Sequence, residues 1–355
     1  MTTAPSDVRF ALWHGTGSPV TVETLDGPVP VPTGGALVSV EEATVCGSDL
    51  HTALGHRPGP SPSVLGHEQV GRVVQVDAER PPLTVEGAPV RVGDRVVWSV
   101  AASCGHCDRC TAGWPQKCRS LRKYGHEAVA PDWTLNGGFG THCVLLPGTA
   151  IVVVPEEMPA AVAAPAACAT ATVAAALEAA DRSLDGARVL VTGAGMLGIT
   201  AVAMASAAGA SVVVSDPNAG RRAQALCFGA ASAIAPGDPV APVDVAMELS
   251  GHADAVELAV DALALGGVAV LVGAVSTSRP VTIDPERIVR GLHRIVGVHN
   301  YAPRHLAQAV AFLSGTALPF ADLVEPAVGL DRVGEAVTTA PSPGFLRRSI
   351  VPSTA

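Results

Sequence analysis

Val189-Leu190-Val191-Thr192-Gly193-Ala194-Gly195-Met196-Leu197-Gly198 is the stretch on which the fold turns. Its first four residues make the short apolar run expected of a buried strand, and ITAVAMASAAG beyond it has a helix-forming composition. Between them stands G-x-G-x-x-G. Gly193 permits a tight turn, Gly195 lets a pyrophosphate approach the backbone, and Gly198 allows the helix to pack closely on the strand. The helix N-terminus then attracts the phosphates. Glycines at this spacing also serve as ordinary helix caps, so the strand–turn–helix context carries the weight. The next apolar run, SVVVSD, ends at Asp216, 21 residues beyond Gly195. A carboxylate there accepts hydrogen bonds from the adenosine ribose hydroxyls and repels a 2′-phosphate, which favours NAD over NADP. Arg221 and Arg222 follow closely, either as a solvated helix start or as a holder for that extra phosphate.

Outward from this turn the pattern repeats. VDVAMEL reads as a strand, ADAVELAVDALAL as a helix and GVAVLVG as a strand, the alternation of an α/β doubly wound parallel sheet. Upstream of Pro155 the texture differs. Short runs at 36–40, 70–76, 95–100 and 151–154 are separated by Gly, Pro and Asp, as in a β-rich domain. At 355 residues the chain is long for one core. Two domains are therefore expected, 1–158 with the tail 300–355, and 159–299.

Composition narrows the function. A net charge of −9 without clustered Lys and Arg excludes a nucleic-acid footprint. The mean hydropathy of +0.36 raises the question of a membrane. The uncharged run 158–177 is mostly alanine and is broken by Pro159, Pro165 and Cys168, so no membrane span is expected there. The opening MTTAPSDVRF lacks the basic start and apolar stretch of a secretory signal, and a cytoplasmic, reducing location follows as an expectation. In that setting the eight cysteines point to metal rather than to disulfides.

Cys104, Cys107, Cys110 and Cys118 form C-x2-C-x2-C-x7-C. Four thiolates close a tetrahedral zinc site with no open position, a structural site within a lobe near 103–119. Spacing alone suits an iron–sulfur cluster as well. Cys46-Gly47-Ser48-Asp49-Leu50-His51, Gly66-His67-Glu68 and Cys168 supply a second set. Two thiolates and one imidazole leave a corner free, the form of a catalytic zinc site, where the ion acts as a Lewis acid toward an alcohol. Asp49 is placed to fix the tautomer of His67. Taken singly, Cys46 and Cys168 read as buried small hydrophobes and His67 as a core histidine; their combination points to metal.

With CGSDLH, GHE, the four-cysteine lobe, Cys168 in CATATV and VTGAGMLG in this order, the chain resembles the medium-chain, zinc-containing alcohol dehydrogenases over essentially its whole length. The resemblance implies a GroES-like β-rich catalytic domain and a Rossmann cofactor domain. It implies catalytic zinc on Cys46, His67 and Cys168, with Glu68 as an occasional ligand. A proton relay would run from Ser48 through the cofactor ribose to His51. NAD would lie along Gly193, Gly195, Met196, Leu197, Gly198, Asp216 and Arg221, its nicotinamide near Val272 and the backbone of Gly273. Arg348 would meet the pyrophosphate, with Arg347 as a rival for that role. A small alcohol or aldehyde substrate and a homodimer or homotetramer are implied too. Cys143 and Cys227 match no ligand position and read as packing.

SVAASCGHC, PQKC and KYGHE are also similar to a bacterial subgroup proposed to act in phosphonate metabolism. An anionic substrate would need positive charge near the zinc, and Arg57, His56, Lys123 and His126 are candidates. Two other readings share the fold, a zinc-free quinone or enoyl reductase and a non-catalytic binding protein. The metal ligands and Asp216 oppose the first; the intact relay and cofactor turn oppose the second.

Overall fold

Strand Arg188–Thr192 occupies the middle of a six-stranded sheet in the computed structural model, which describes residues 7–275 and 278–353. All six strands run parallel. Across the sheet they lie in the order Ser232–Ile234, Ser211–Ser215, Arg188–Thr192, Val243–Glu248, Leu263–Leu271, Arg294–Gly297. Counted along the chain this is 3-2-1-4-5-6, the Rossmann order, which reverses between Thr192 and Glu248. Helix Met196–Ala207 is apolar nearly all round because it is buried, and it packs against helix Ala169–Ala179. These elements form one compact unit, Ala169–Tyr301.

Two details depart from the sequence reading. The ADAVELAVDALAL stretch is not one helix: helix Ala253–Asp261 stops, and Leu263 already pairs with Val243 in a strand. An unbroken apolar run has no period to mark that change. The short strand Ser232–Ile234 also went unforeseen, its few apolar residues giving no strand signal.

The second unit comprises Met1–Cys168 and Ala302–Ala355. Its main sheet runs Val324–Val328, Arg347–Ile350, Ala36–Thr44, Glu68–Val76, Arg95–Ala102, Arg122–Lys123, with His142–Leu145 added to Ala36–Thr44 and Thr149–Val153 to Arg95–Ala102. A hairpin of Val8–Trp13 and Val20–Leu25 stands beside it. Trp98, Trp133, Tyr124 and Phe139 fill the core. The tail rejoins this unit through Arg347–Ile350, antiparallel to Ala36–Thr44.

The expected boundary after residue 158 is displaced to 168. Turns Ala160–Ala163 and Ala164–Ala167 pack on strands Ala36–Thr44 and Glu68–Val76, and Ala164–Ala167 also packs on Arg95–Ala102 and on helix Pro303–Gly315. Alanine suits this closeness because its small side chain lets backbones approach. The apolar run 158–177 is broken at Cys168 into separate helical pieces. Among the described residues no single helix is long and apolar enough to cross a membrane.

Candidate active site

Helix Gly47–Ala53 begins with a capping box: Cys46 is the N-cap, and the Asp49 carboxylate accepts the Cys46 N–H at 2.9 Å. The same carboxylate accepts the Gly66 N–H at 3.3 Å and lies 3.3 Å from Nδ1 of His67. Asp49 thereby pins two segments far apart in sequence and orients the imidazole. Cys168, at the end of the Ala164–Ala167 turn, completes a cluster in which Cys46, His67 and Cys168 place their ligand atoms within 4.8 Å of one another. The Cys168 thiol donates to Cys46 and holds the Cys46 thiol well below its usual pKa despite burial. Burial opposes charge on His67, but Asp49 and Cys46 outweigh it and raise its pKa well above the ordinary value. Such a donor set is ready for a dication. Ser48 Oγ lies 3.2 Å from His67 Nε2, and His51, one helical turn on, is exposed.

Glu68 is not in that cluster. Its Oε2 accepts from Thr44 Oγ1 at 2.7 Å and Arg347 Nε at 2.8 Å, and its Oε1 from Arg347 Nη2 at 3.0 Å. Burial pushes the Glu68 carboxyl up to about 7 against the opposing pull of Arg347. Thr44 and Arg347 are the residues that sequence reasoning missed here. The only signal was the register of Thr44 opposite Glu68, which the sequence does not reveal.

The four-cysteine lobe is the other group whose side chains could hold a metal ion. Its sulfurs stand 3.4 Å (Cys104–Cys118), 3.5 Å (Cys107–Cys110), 3.9 Å (Cys107–Cys118) and 4.0 Å (Cys104–Cys110) apart. Four thiolates about 2.3 Å from a common zinc would lie about 3.8 Å apart, so the residues fit the ion. Backbone N–H groups of Arg119 and Cys110 hold the Cys107 thiol down at about 6, which favours the thiolate that a metal needs.

In the Rossmann unit a groove of about 740 Å3 opens over the glycine turn. Thr192, Gly193, Gly195, Asp216, Arg221, Leu249 and Ser250 are among its walls. Gly193 adopts φ +91°, and a Cβ on Gly198 would lie 1.8 Å from the Gly193 carbonyl. A Cβ on Gly195 would meet nothing, so open space remains above that backbone, where the motif expects a pyrophosphate. Met196 and Leu197 start the helix that Gly195 caps. Asp216 is held by the Ala194 N–H at 2.7 Å and the Asn218 N–H at 2.8 Å. The Arg222 guanidinium is engaged by the carbonyls of Asp216 and Pro217, leaving Arg221 as the basic side chain of the groove.

Residues 32–156 match the family model of the alcohol dehydrogenase GroES-like domain, and 197–315 that of the zinc-binding dehydrogenase. An L-threonine 3-dehydrogenase of Thermococcus kodakarensis is 32% identical over 79% of each chain. The chain belongs to the medium-chain, zinc-dependent alcohol dehydrogenase family. The 5-exo-hydroxycamphor dehydrogenase of Pseudomonas putida is 29% identical over 94% of this chain and 96% of its own. Among solved structures, an alcohol dehydrogenase of Thermotoga maritima superposes with a TM-score of 0.90 at 25% identity, covering 98% of this chain and 100% of its own. A Sinorhizobium meliloti protein solved with NADP bound gives 0.83 at 25% identity, with coverages of 98% and 100%. This dehydrogenase family uses zinc and a nicotinamide dinucleotide, and both donor sets described above fit those groups.

Both C-terminal arginines are engaged by other side chains. Arg348 pairs with Glu325 at 2.9 Å and donates to Thr339 Oγ1 at 2.6 Å and the Ala340 carbonyl at 3.2 Å, so its guanidinium is engaged within its own unit. Arg347 is buried against Glu68. Val272 is buried just beyond strand Leu263–Leu271, and its N–H and that of Gly273 both reach the Glu248 carbonyl. Beside the open metal site, His126 stacks on His67 with ring centroids 4.5 Å apart. Burial, then His67, Arg57 and Lys123, keep His126 well below its usual pKa and hence neutral. Burial, then Arg57 and Lys117, lower the pKa of Lys123, while Cys168 and Glu127 counteract. Glu127, on the same loop, is engaged by Arg122 at 2.7 Å and the Lys123 backbone at 2.6 Å. Among the described residues Arg57 has no acidic partner. His56 lies 5.8 Å from the His51 ring on the exposed side.

Proposed function

We propose that this dehydrogenase reversibly oxidises a small alcohol bearing an anionic group, a hydroxyalkyl-phosphonate such as 2-hydroxyethylphosphonate, with NAD as hydride acceptor. The observation carrying this reading is the pair of half-buried cations, Arg57 and Lys123, close to the open metal site: neither forms an ion pair among the described residues, and the Glu127 carboxylate near Lys123 is engaged by Arg122. A cationic group on the substrate, such as the ammonium of threonine, would meet repulsion there, since Glu68 is already paired with Arg347. Neutral His126 adds a hydrogen-bonding group without further charge.

Zinc held by Cys46, His67 and Cys168 supplies a Lewis acid that lowers the pKa of the alcohol. Asp49 keeps His67 turned toward the metal. The Ser48 hydroxyl accepts the alcohol proton, and exposed His51 passes it to solvent. NAD bound in the groove would supply the hydride acceptor, so that alcohol and NAD+ would become aldehyde, NADH and one proton. Asp216 in the groove wall supports NAD over NADP; the neighbouring Arg221 is the group that would oppose this. A homodimer or homotetramer is proposed as well, because Val289, Leu292 and Ile295 lie exposed on and beside the edge strand Arg294–Gly297.

A screen following NADH formation tests the reading. Turnover of 2-hydroxyethylphosphonate above that of ethanol and threonine is expected, and turnover of neutral alcohols alone would refute the anionic substrate. Metal analysis should find about two zinc per chain. Fluorescence titration should show NADH binding at least about tenfold tighter than NADPH, about 1.4 kcal/mol.

A further inference from the structure

A carboxylate lies buried under the cofactor groove. Glu248 is 0% exposed and ends its strand as the register partner of Thr192, at the point where the strand order reverses. Ligands of open α/β sheets bind at such points. Glu248 Oε1 accepts three hydrogen bonds, from the Ser250 N–H at 2.7 Å, the Ser250 hydroxyl at 2.8 Å and the Gly251 N–H at 2.6 Å. Its backbone carbonyl accepts from Val272 at 3.0 Å and Gly273 at 2.9 Å. The Leu249 N–H reaches the Thr192 carbonyl at 2.9 Å. Glu248 thus ties the wall of the groove at 249–251 to the segment at 272–273, and its neighbour Leu249 joins them to the strand end that leads into the dinucleotide turn.

The cost of this arrangement is visible. Oε2 of Glu248 and the hydroxyl of Thr192 are buried and have no partner among the described residues. An apolar residue would avoid the penalty of a buried unsatisfied group. Three donors converging on one oxygen at such short distances call for a strong acceptor, and a carboxylate is one. The wall they fix bends sharply: Gly251 has φ +80°, and a Cβ there would lie 2.7 Å from the Gly273 carbonyl.

We propose that Glu248 is a positioning residue for the dinucleotide, holding the 249–251 turn in the shape that the cofactor meets. The proposal rests on the nicotinamide reading of the groove. Its test is NADH affinity, measured by fluorescence titration of the zinc-loaded enzyme at a temperature where every variant is folded. Glu248→Ala strands the Ser250 and Gly251 donors and should weaken NADH about tenfold. Glu248→Gln retains an acceptor oxygen and should remain within about threefold of the unaltered enzyme. Zinc content and the KM for alcohol at saturating NAD should not change in either. Unaltered NADH affinity in Glu248→Ala, or equal loss in both variants, would overturn the proposal. If Glu248→Ala does not fold, Ser250→Ala removes the hydroxyl's bond to Glu248, together with its acceptance of the His252 N–H at 3.1 Å, and should weaken NADH about threefold; no change would again overturn the proposal. Failure of the unaltered enzyme to bind NADH would instead refute the cofactor reading itself.

Discussion

The two metal centres differ in how they are built. The closed lobe draws all four sulfurs from 15 consecutive residues, 104–118, and backbone N–H groups of the same loop support them. The open centre takes one residue from each of three segments, and 122 positions separate Cys46 from Cys168. The lobe is local and partly exposed; the open site is buried and exists only when the sheet is folded. A local site can stiffen a loop, whereas a site assembled from distant segments inherits the rigidity of the whole unit. That rigidity suits chemistry, which needs fixed geometry.

Breaking the open site should have the largest effect. His67→Ala should cut kcat/KM about a thousandfold, about 4 kcal/mol, the scale of a lost Lewis acid. Zinc should fall from about two to about one per chain, and the melting temperature should move little. Asp49→Asn probes how tightly the distant segments are joined. Zinc affinity at the open site should drop about 10–100-fold in competition with a chelator, while the lobe keeps its ion.

The opposite result is expected from Cys110→Ser. One zinc should again be lost, yet initial kcat should stay near that of the unaltered enzyme. The half-life at elevated temperature should shorten about tenfold, because the lobe then opens more readily. Loss of kcat at once would mean that the two centres are not separable in function. Arg57→Ala and Lys123→Ala sharpen the comparison on the substrate side. Each should raise the KM for an anionic alcohol about tenfold and leave a neutral alcohol unaffected.

The smallest effect concerns pH. Burial and Arg57 lower the Lys123 pKa, so its ammonium loses its proton at a lower pH than a free lysine. The charged form holds the anion. KM for an anionic alcohol should therefore rise on the alkaline side, beginning below the ordinary lysine value of 10.5. Lys123→Arg should remove that rise.

Much of this was legible before folding was considered. The lobe was readable because its ligands are neighbours, and the glycine turn because strand, turn and helix follow each other directly. The donors of the open site were readable as residue types, and family resemblance joined them. The partner of Glu68 was not, since Arg347 lies 279 positions away. Nor was the place of 160–168, whose alanines carry no period and whose packing on the strands decides their unit. Glu248 was passed over because a single acid after a strand has no signal until its donors are seen.

By itself the sequence determined which atoms are available: the thiolates and imidazoles, the turn that leaves backbone open to a phosphate, and the acid that follows it. Those are properties of residue type and short-range order. Only the tertiary structure decided which charges are engaged. Arg347 and Arg348 are paired, and among the described residues Arg57 has no acid partner, although all are arginines in ordinary loops or strands. The physical reason is that ion pairing depends on proximity, and proximity between distant segments is set by sheet register and packing.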